Sequence, residues 1–357
     1  MKTFPELLKF AVDLGASDLH MSTGSIPMIR VHGRMKHLNI PAPTEKEMEE
    51  EIRRTLSDDQ WERLDEMMEI DLSQKIESDD GELIARFRVN VYSQINGYGV
   101  AFRTIPSEIK GFEELGLPEI LKDLALHDRG LVIFTGPTGC GKSTSLAACI
   151  DYINEYKELH IITVEDPIEY YHSSRNCLIN QRELGANTHS FANALRSALR
   201  EDPDVILVGE MRDLETISLA LTAAETGHLV FATLHTSSAA KTIDRIIDIF
   251  PASQKQQVRS MLAESLDAVI AQKLLTKKDG KGRVVACEVM VANVAIRNLV
   301  REDKIYQIPS VIQSGGKSGM QGFDQDLQRL MHKGLIDRET AAIVAENPKL
   351  FEIDLNQ

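Results

Sequence analysis

The sequence predicts a two-domain protein in which a larger α/β domain follows a smaller α+β domain. The chain has 357 residues, which is more than one hydrophobic core usually serves. Near the middle, a short apolar run, a glycine-rich loop over 136–144 and a helical pattern follow one another. Beyond that loop, short apolar runs alternate with helical patterns, which is typical of a parallel sheet flanked by helices.

Helical patterns open the N-terminal region. Apolar residues at helical spacing over 4–14 predict a first helix that Gly15 ends. Thr44 and Glu47 form a capping box and therefore mark the start of a second helix. Trp61 lies in a third, shorter helical pattern.

Strand patterns accompany these helices. The segment 26–38 is predicted to contain strands interrupted at Gly33. Apolar and polar residues alternate over 83–92 and again over 100–105, which predicts two further strands. We therefore assign residues 1–105 to an N-terminal α+β domain.

A loop separates this region from the second domain. Residues 106–118 contain two glycines and two prolines, which favour a loop over a helix or strand. We interpret 106–118 as a hinge linker and assign residues 119–357 to the second domain. Four apolar runs predict the strands of that domain: 131–134, 161–164, 205–208 and 229–232.

The C-terminal part of the second domain has a different pattern. After Ser238 the spacing is mostly helical, apart from a strand over 283–290. The run 279–282 is predicted to be a turn between a helix and that strand. A glycine-rich break over 314–319 precedes a last pair of helices.

The loop at 136–144 reads G-P-T-G-C-G-K-S-T and has the spacing of a P-loop. Its glycines leave room for backbone NH groups to point at phosphate oxygens. Lys142 would reach the β- and γ-phosphates, and the Ser143 hydroxyl would coordinate Mg²⁺. We therefore expect a bound nucleoside triphosphate. The expected nucleotide-binding residues are Gly136, Pro137, Thr138, Gly139, Cys140, Gly141, Lys142, Ser143 and Thr144.

Charge and composition disfavour several other classes of protein. The formal net charge of −14 makes free nucleic acid and anionic membrane surfaces poor partners. No uninterrupted apolar run approaches the roughly 18 residues of a membrane span. Asp13 and Asp18 interrupt the region where a signal peptide needs an apolar core, so we expect a cytoplasmic protein. The four cysteines form no C-x-x-C pair, which disfavours a zinc site or disulfides.

Carboxylates follow two of the predicted strands. Glu165 comes directly after 161–164, and Glu210 comes two residues after 205–208. Triphosphate hydrolysis needs Mg²⁺ held by a hydroxyl and a carboxylate, and a water molecule oriented by a nearby acceptor. We predict that Glu210 polarises that water and that Glu165 binds the metal and its waters. The alternative for each residue is a solvated loop carboxylate.

Histidines flank the fourth apolar run. His228 and His235 are seven residues apart, so a strand places them at opposite ends, which argues against a two-histidine metal site. His235, at the carboxyl end, is placed to sense the γ-phosphate. For His228 the spacing favours a buried hydrogen-bonding residue.

Two other classes of nucleotide-binding protein fit the sequence poorly. The segment T-K-K-D at 276–279 matches the guanine-reading pattern of small GTPases, but no D-x-x-G element lies between the P-loop and that point. A P-loop kinase would need a lid over an acceptor pocket, and no lid pattern is present. We therefore expect no GTPase activity and keep a kinase as a weaker alternative.

Four segments together resemble the secretion ATPase superfamily, the motors of type II secretion, type IV pili and type IV secretion. Segment 136–144 resembles its Walker A motif, and 162–170 (I-T-V-E-D-P-I-E-Y) resembles its Asp box. Segment 208–213 (V-G-E-M-R-D) resembles its Walker B motif, and 227–236 resembles its His box. The resemblance implies a RecA-like ATPase domain, a PAS-like N-terminal domain, a homohexamer, and ATP with Mg²⁺ as ligands. It also implies catalytic roles for Lys142, Glu165, Glu210, His228 and His235.

Within that superfamily, three further segments resemble the retraction ATPases of type IV pili. These segments are A-S-D-L-H at 16–20, A-I-R-N-L-V-R-E at 295–302 and G-M-Q-G-F-D at 319–324. In retraction motors the second segment is associated with retraction more than with ATP hydrolysis, and Val300 stands where isoleucine is common. The same segment predicts an amphipathic helix that buries Ile296. Assembly ATPases usually have a longer N-terminal region and a four-cysteine metal site, and this sequence has neither.

The resemblance also concerns three arginines of the N-terminal domain. In the family, such arginines reach nucleotide held at a subunit boundary, which implies this role for Arg86, Arg88 and Arg103. Positive charge there would stabilise the transition state of phosphoryl transfer. The alternative is that these side chains are simply solvated.

Together these resemblances imply a hexameric ATPase motor that powers type IV pilus retraction, and hence twitching motility, by coupling hydrolysis to interdomain motion. The implied partners are other copies of the chain, an inner-membrane platform protein and a paralogous retraction ATPase. The motor would be cytoplasmic and peripheral to the inner-membrane pilus machine. Alternatives are an accessory retraction ATPase, an assembly or secretion ATPase, and a slow nucleotide-gated switch protein.

Overall fold

The structure divides into two compact units, Met1–Glu108 and Ile109–Gln357. It is a computed structural model that describes residues 2–31, 33–77, 80, 83–105 and 108–351. Pro106 and Ser107, at the start of the predicted hinge, lie outside the described residues, as do the first residue and the last six.

The described part of the first unit has three helices and one six-stranded sheet. The helices are α1 (Phe4–Asp13), α2 (Glu45–Thr55) and α3 (Asp58–Met67), and the strands are β1 (Asp18–Ser22), β2 (Ser25–Val31), β3 (Arg34–His37), β4 (Glu69–Glu77), β5 (Leu83–Gln94) and β6 (Gly97–Ile105). The sheet order is β3-β2-β1-β6-β5-β4, and all neighbouring strands are antiparallel.

One face of this sheet packs against the helices to form the core of the first unit. Phe87 of β5 and Phe102 of β6 lie in the same buried cluster as Leu8 of α1 and Ile52 of α2. The predicted capping box of α2 is confirmed, because the Thr44 hydroxyl accepts from the N3 backbone while the N3 carboxylate accepts from Thr44 N at 2.8 Å. Strand β4 was not predicted, since it lies at the sheet edge and its polar residues outnumber its apolar ones.

The described part of the second unit, 109–351, has a seven-stranded sheet with helices around it. Its strands are β7 (Gly130–Thr135), β8 (His160–Glu165), β9 (Leu178–Glu183), β10 (Val205–Val208), β11 (Leu229–Leu234), β12 (Leu266–Thr276) and β13 (Arg283–Val291). Its α-helices are α4 (Phe112–Leu115), α5 (Ile120–Ala125), α6 (Lys142–Tyr156), α7 (Phe191–Ala198), α8 (Leu214–Glu225), α9 (Ala239–Asp248), α10 (Lys255–Ser265), α11 (Val294–Arg301), α12 (Ile308–Ser314), α13 (Phe323–His332) and α14 (Arg338–Val344).

The order of this second sheet is β13-β12-β7-β11-β10-β8-β9. All neighbouring strands are parallel except β12 and β13, which are antiparallel. Side chains alternate between the two faces: Leu131 and Ile133 of β7 lie in one buried cluster, and Val132 and Phe134 lie in another. Because both faces are covered, the central strands are apolar throughout, which explains their clear signal in the sequence.

Two expectations about the region after Ser238 are wrong. The predicted helical pattern includes β12, an eleven-residue strand, and the turn at 279–282 joins β12 to β13 rather than a helix to a strand. Strand β12 is buried on both faces for most of its length. Such a strand has no period of two, so its apolar run cannot be distinguished from a buried helix by spacing alone.

The predicted amphipathic helix over 295–302 is confirmed as α11, which buries Ile296 and Val300 completely. Asn293 caps it by accepting from Ile296 N at 3.0 Å. Among the described residues, none of the helices combines the length and the apolarity needed to cross a membrane.

Candidate active site

The P-loop lies at the carboxyl end of β7, between that strand and α6. Gly136 has φ of +142°, and a Cβ atom there would lie 2.4 Å from the carbonyl oxygen of Gln272. Gly139 and Gly141 also have positive φ values of 77° and 96°, which side chains rarely permit. The loop therefore requires the glycines that the sequence motif contains.

This loop forms one wall of a cavity of 410 Å³. Among the predicted site residues, the cavity is lined by Thr138, Gly139, Gly141, Lys142, Ser143, Thr144, Glu165, Glu210 and His235. The Lys142 ammonium is buried and donates to the carbonyl oxygen of Gly136 at 2.8 Å. The structure thus places a cation, a hydroxyl and two carboxyl groups around the same space.

Glu210 has two basic partners in this cavity. Its Oε2 lies 2.7 Å from the Arg212 guanidinium, and its Oε1 lies 3.3 Å from Nε2 of His235. Partial burial raises the pKa of Glu210, but Arg212 and His235 outweigh that effect and hold the pKa below its usual range. Glu210 is therefore ionised at neutral pH and can accept a hydrogen bond from water.

Glu165 lies in different surroundings. It keeps some surface at the cavity, yet protein atoms surround its carboxyl group closely enough that burial raises its pKa to about 7. Thr163 Oγ1 and Gln181 Nε2 donate to Glu165 Oε1 at 2.7 and 3.2 Å, which opposes this shift. Gln181 also donates to the carbonyl oxygen of Tyr170 at 2.8 Å. These bonds fix the orientation of the Glu165 carboxyl group.

The register of the sheet brings these two carboxyl groups together. Strands β8 and β10 are parallel neighbours, with Val164 opposite Val208. Gly209 N donates to the carbonyl oxygen of Val164 at 2.7 Å, directly before Glu165. On the other side, Thr233 of β11 donates to the carbonyl oxygen of Gly209 at 2.5 Å. The turn that contains Glu210 is therefore held by both neighbouring strands.

His228 lies elsewhere, since it precedes β11 and is not among the residues that line this cavity. Its Nδ1 donates to the carbonyl oxygen of Ala223, near the end of α8, at 2.9 Å.

Cys140 is buried within the P-loop, and burial raises the pKa of its thiol.

The three predicted arginines belong to the sheet of the first unit. Arg88 on β5 lies directly opposite Arg103 on β6, and Arg86 lies two residues from Arg88 on the same face. Arg103 Nε donates to Asp18 Oδ1 at 2.9 Å, and Arg88 lies 3.8 Å from an oxygen of Asp71. These three side chains share one face of the sheet.

Several residues of the site were not predicted from the sequence. Thr163 lies two residues before Glu165 and Arg212 two residues after Glu210, so strand periodicity and the box motifs gave a usable signal for both. Gln181 gave no such signal, because only the pairing of β9 with β8 brings it opposite Thr163. Tyr170, whose hydroxyl lies 2.9 Å from Thr144 Oγ1, is likewise placed by tertiary structure.

A second cavity, of 520 Å³, shares four lining residues with the first: Gly141, Thr144, Leu274 and Arg283. Its walls include the apolar side chains of Leu115, Leu117, Leu274 and Val285 and the basic side chains of Lys110, Lys277 and Arg283. The two cavities therefore meet beside the start of α6.

Known proteins match this chain along nearly its whole length. The sequence profile of the family described as "Type II/IV secretion system protein" matches residues 2–325. The type IV pilus retraction ATPase PilT of Pseudomonas aeruginosa is 56% identical over 97% of this chain and 99% of that protein. A twitching motility protein of Neisseria gonorrhoeae is also 56% identical, over 90% of this chain and 84% of that protein.

A crystal structure of the pilus retraction motor PilT with bound ADP superposes with a TM-score of 0.90 at 46% identity, and the match covers 98% of this chain and 99% of that one. The superposition confirms the fold class expected from the sequence, a RecA-like ATPase domain preceded by a smaller α+β domain. Since the matches extend over both units, and the expected motifs meet in one cavity, the chain belongs to the type II/IV secretion system protein family.

Proposed function

We propose that this chain hydrolyses ATP and uses the free energy to retract type IV pili. The observation that carries this proposal is the cavity in which Lys142, Glu165, Glu210 and His235 meet at the P-loop. The 56% identity to a pilus retraction ATPase over 97% of the chain supports retraction as the work performed, in agreement with the expectation from the sequence.

In this proposal, each side chain of the cavity has a separate task. Lys142 and the backbone NH groups of the P-loop bind the phosphates and neutralise their charge. The ionised Glu210 accepts a hydrogen bond from the attacking water and orients it toward the γ-phosphate. His235, which contacts Glu210 at 3.3 Å, holds that carboxylate in place.

The residues present also fit a magnesium ion. Ser143 and Glu165 line the same cavity and offer a hydroxyl and a carboxyl oxygen, and Mg²⁺ prefers oxygen ligands and retains waters and phosphate oxygens as further ligands. When bound, the ion would neutralise charge on the β- and γ-phosphates. Thr163 and Gln181 orient the Glu165 carboxyl group for this task.

The second cavity is proposed to hold the nucleoside. Leu115, Leu274 and Val285 offer apolar walls for a flat base, and Lys277 and Arg283 offer donors for its polar edge and the ribose. Its junction with the first cavity at Gly141 and Thr144 matches the path of a nucleotide whose phosphates lie in the P-loop.

We further infer that the active unit is a ring, in line with the expected homohexamer. Arg86, Arg88 and Arg103 would act on nucleotide bound by a neighbouring copy of the chain, and the residues at 106–118 would act as the hinge between the two units. The boundary between the compact units, at Glu108 and Ile109, falls inside that segment, which supports a hinge near its start. Residues 112–115 form α4 and Phe112 is buried in a core cluster of the second unit, so the expectation of a loop over all of 106–118 is wrong.

The proposed partner of the motor is a platform protein of the inner membrane, approached from the cytoplasm, together with a paralogous retraction ATPase. The net charge of −14 favours such protein partners over nucleic acid. The amphipathic helix α11 is the candidate element for retraction itself, as the resemblance over 295–302 implies.

Deletion of the gene in its host tests this function. We expect the deletion strain to show excess surface pili and no twitching motility. The wild-type gene and a Glu155→Gln control, which changes an exposed carboxylate on α6, should restore both traits, whereas Glu210→Gln should restore neither. Cells without pili would identify an assembly motor instead. Rescue by Glu210→Gln would show that retraction does not depend on the Glu210 carboxylate.

A further inference from the structure

We propose that Thr135 is a positioning residue for His235. Its hydroxyl belongs to a chain of threonine hydroxyl groups that connects the end of β7, directly before the P-loop, to the turn after β11. This inference rests on the proposed catalytic roles of His235 and Glu210. It assigns a task to a buried hydroxyl that neither the P-loop motif nor the His box includes.

The chain of hydroxyl groups begins at the last residue of β7. Thr135 Oγ1 accepts from Thr236 N at 2.9 Å and lies 2.7 Å from both the carbonyl oxygen and Oγ1 of Thr236. Thr236 Oγ1 lies 2.6 Å from Thr242 Oγ1, and Thr242 donates to the carbonyl oxygen of Ser238 at 2.8 Å. Thr135 and Thr242 are completely buried.

Each threonine hydroxyl has a single hydrogen to donate, and this fixes the direction of the chain. Because Thr242 donates to Ser238, it must accept from Thr236. The hydrogen of Thr135 then has an acceptor in either the hydroxyl or the carbonyl oxygen of Thr236, while its own oxygen accepts from Thr236 N. Both arrangements join Thr135 to Thr236 by two hydrogen bonds, and neighbouring bonds in such a buried chain strengthen one another.

The hydroxyl of Thr135 contacts both peptide groups that flank His235. The peptide before His235 includes the carbonyl oxygen of Leu234, which lies 3.2 Å from Thr135 Oγ1 and is a third, more distant acceptor for its single hydrogen. The peptide after His235 includes Thr236 N, which donates to Thr135 Oγ1 at 2.9 Å. Leu234 is also the register partner of Thr135 in the β7–β11 pair. The Thr135 hydroxyl is therefore bonded to the peptide after His235 and lies against the peptide before it.

This arrangement matters for His235 because its ring is not held by burial. The side chain is 41% exposed, and its Nε2 contacts Glu210 Oε1 at 3.3 Å. The direction of the ring therefore depends on the backbone of the turn. Since Thr135 directly precedes Gly136, the same residue sets the position of His235 relative to the loop that binds the phosphates. Loss of the Thr135 hydroxyl should therefore lower turnover rather than nucleotide binding.

The test uses Thr135→Val, which removes the hydroxyl with little change in volume. We expect kcat for ATP to fall by at least about 10-fold while KM and the dissociation constant of a fluorescent ATP analogue change by less than about 2-fold, the pattern of a group that acts in the transition state. Thr135→Ser should keep kcat within about 3-fold of the wild type. Thr222→Val is the control, because its hydroxyl donates to the carbonyl oxygen of Ser218 within the same helix, α8, at 2.8 Å.

A double variant shows whether Thr135 acts through His235. In a His235→Ala background, Thr135→Val should cause no further loss of kcat, since residues that act as a unit are not additive. A second loss of the same size, or a wild-type rate for Thr135→Val, would overturn the inference. Normal turnover by His235→Ala alone would instead overturn the proposed role of His235, so the two failures are distinguishable.

Thermal melting of each variant separates a positioning effect from unfolding. If Thr135→Val does not fold, Thr242→Val interrupts the same chain at its far end and should lower kcat with an unchanged KM. A wild-type kcat for a folded Thr242→Val variant would then count against the chain as the positioning element.

Discussion

Two carboxyl groups in one cavity have opposite pKa shifts. Arg212 and His235 hold the pKa of Glu210 below its usual range despite partial burial, whereas burial raises the pKa of Glu165 to about 7. Groups whose surroundings separate their pKa values in this way usually have different chemical tasks. The contrast supports Glu210 as the permanently ionised acceptor for water and Glu165 as a group whose charge depends on what else is bound.

The raised pKa of Glu165 predicts a pH-dependent stability. The folded protein binds more protons than the unfolded chain between the ordinary value of 4.5 and about 7, so stability falls as the pH rises through that window. Glu165→Gln removes the titration. Between pH 5 and pH 8, we expect the free energy of unfolding of the variant to rise relative to the wild type by about 2 kcal/mol.

Guanidinium unfolding of both proteins, in buffer without nucleotide or divalent cations, measures this difference. Glu155→Gln is the matched control, since its carboxylate is exposed. A difference between Glu165→Gln and the wild type that is the same at both pH values would contradict the raised pKa.

At the scale of elements, the site is where the carboxyl ends of parallel strands meet. Short apolar runs were sufficient to predict β7, β8, β10 and β11, because each has only four to six residues and is covered on both faces. The carboxylates could be predicted from their positions just beyond two of these runs. The fold and the principal residues of the cavity could therefore largely be predicted from local sequence.

What could not be predicted depends on contacts between distant segments. Strand β9 reads L-I-N-Q-R-E and lies at the edge of the sheet, so neither its existence nor the contact of Gln181 with Glu165 follows from spacing. Strand β12 was interpreted as helical because burial on both faces hides its period and its eleven residues are as long as a helix. The hydroxyl chain from Thr135 likewise exists only after β7 and β11 have paired.

The close approach of two strand ends predicts the effect of one added methyl group. A Cβ at Gly209 would lie 3.1 Å from both Glu165 Cα and the carbonyl oxygen of Val164, so the ends of β8 and β10 would have to separate by a few tenths of an ångström. We expect Gly209→Ala to lower turnover by about 10-fold, because small misplacements of catalytic groups are costly, while nucleotide binding is retained.

Steady-state hydrolysis and nucleotide titration check this expectation. Gly316→Ala is the matched control, as nothing lies within 4 Å of a Cβ at that position. Full turnover by Gly209→Ala would mean that the spacing of the two carboxyl groups does not limit the reaction.

At the scale of the whole molecule, the proposed catalytic groups are divided between two compact units. Arg88 and Arg103 lie directly opposite each other on neighbouring strands of the first unit, and like charges in that arrangement are unfavourable. Asp18 and Asp71 already pair with Arg103 and Arg88, and a phosphate of another copy's nucleotide would be a further anion for this face of the sheet. The arrangement supports a site that is completed between copies of the chain.

Mixing two inactive variants tests completion in trans. We expect Arg103→Ala and Glu210→Gln each to bind nucleotide without turnover. In an equimolar mixture, about a quarter of randomly assembled sites would combine an intact Glu210 with an intact Arg103 from a neighbour. Hydrolysis should therefore reappear in the mixture, and wild-type turnover should rise steeply with protein concentration.

Two outcomes would contradict this prediction. A mixture as inactive as its components would place Arg103 outside a shared site. Slow turnover that is independent of wild-type concentration would favour the nucleotide-gated switch protein over a motor.

The four cysteines have a practical consequence for following motion. All four are buried and unpaired, and burial raises the pKa of each thiol. Because the thiolate is the reactive form, these residues should resist maleimide dyes. Cysteines introduced at exposed positions such as Ile95 in the first unit and Ile343 in the second would then take up a fluorescent donor and acceptor in an otherwise native chain. Energy transfer between the dyes would report whether the distance between the units changes during hydrolysis, as the proposed hinge requires.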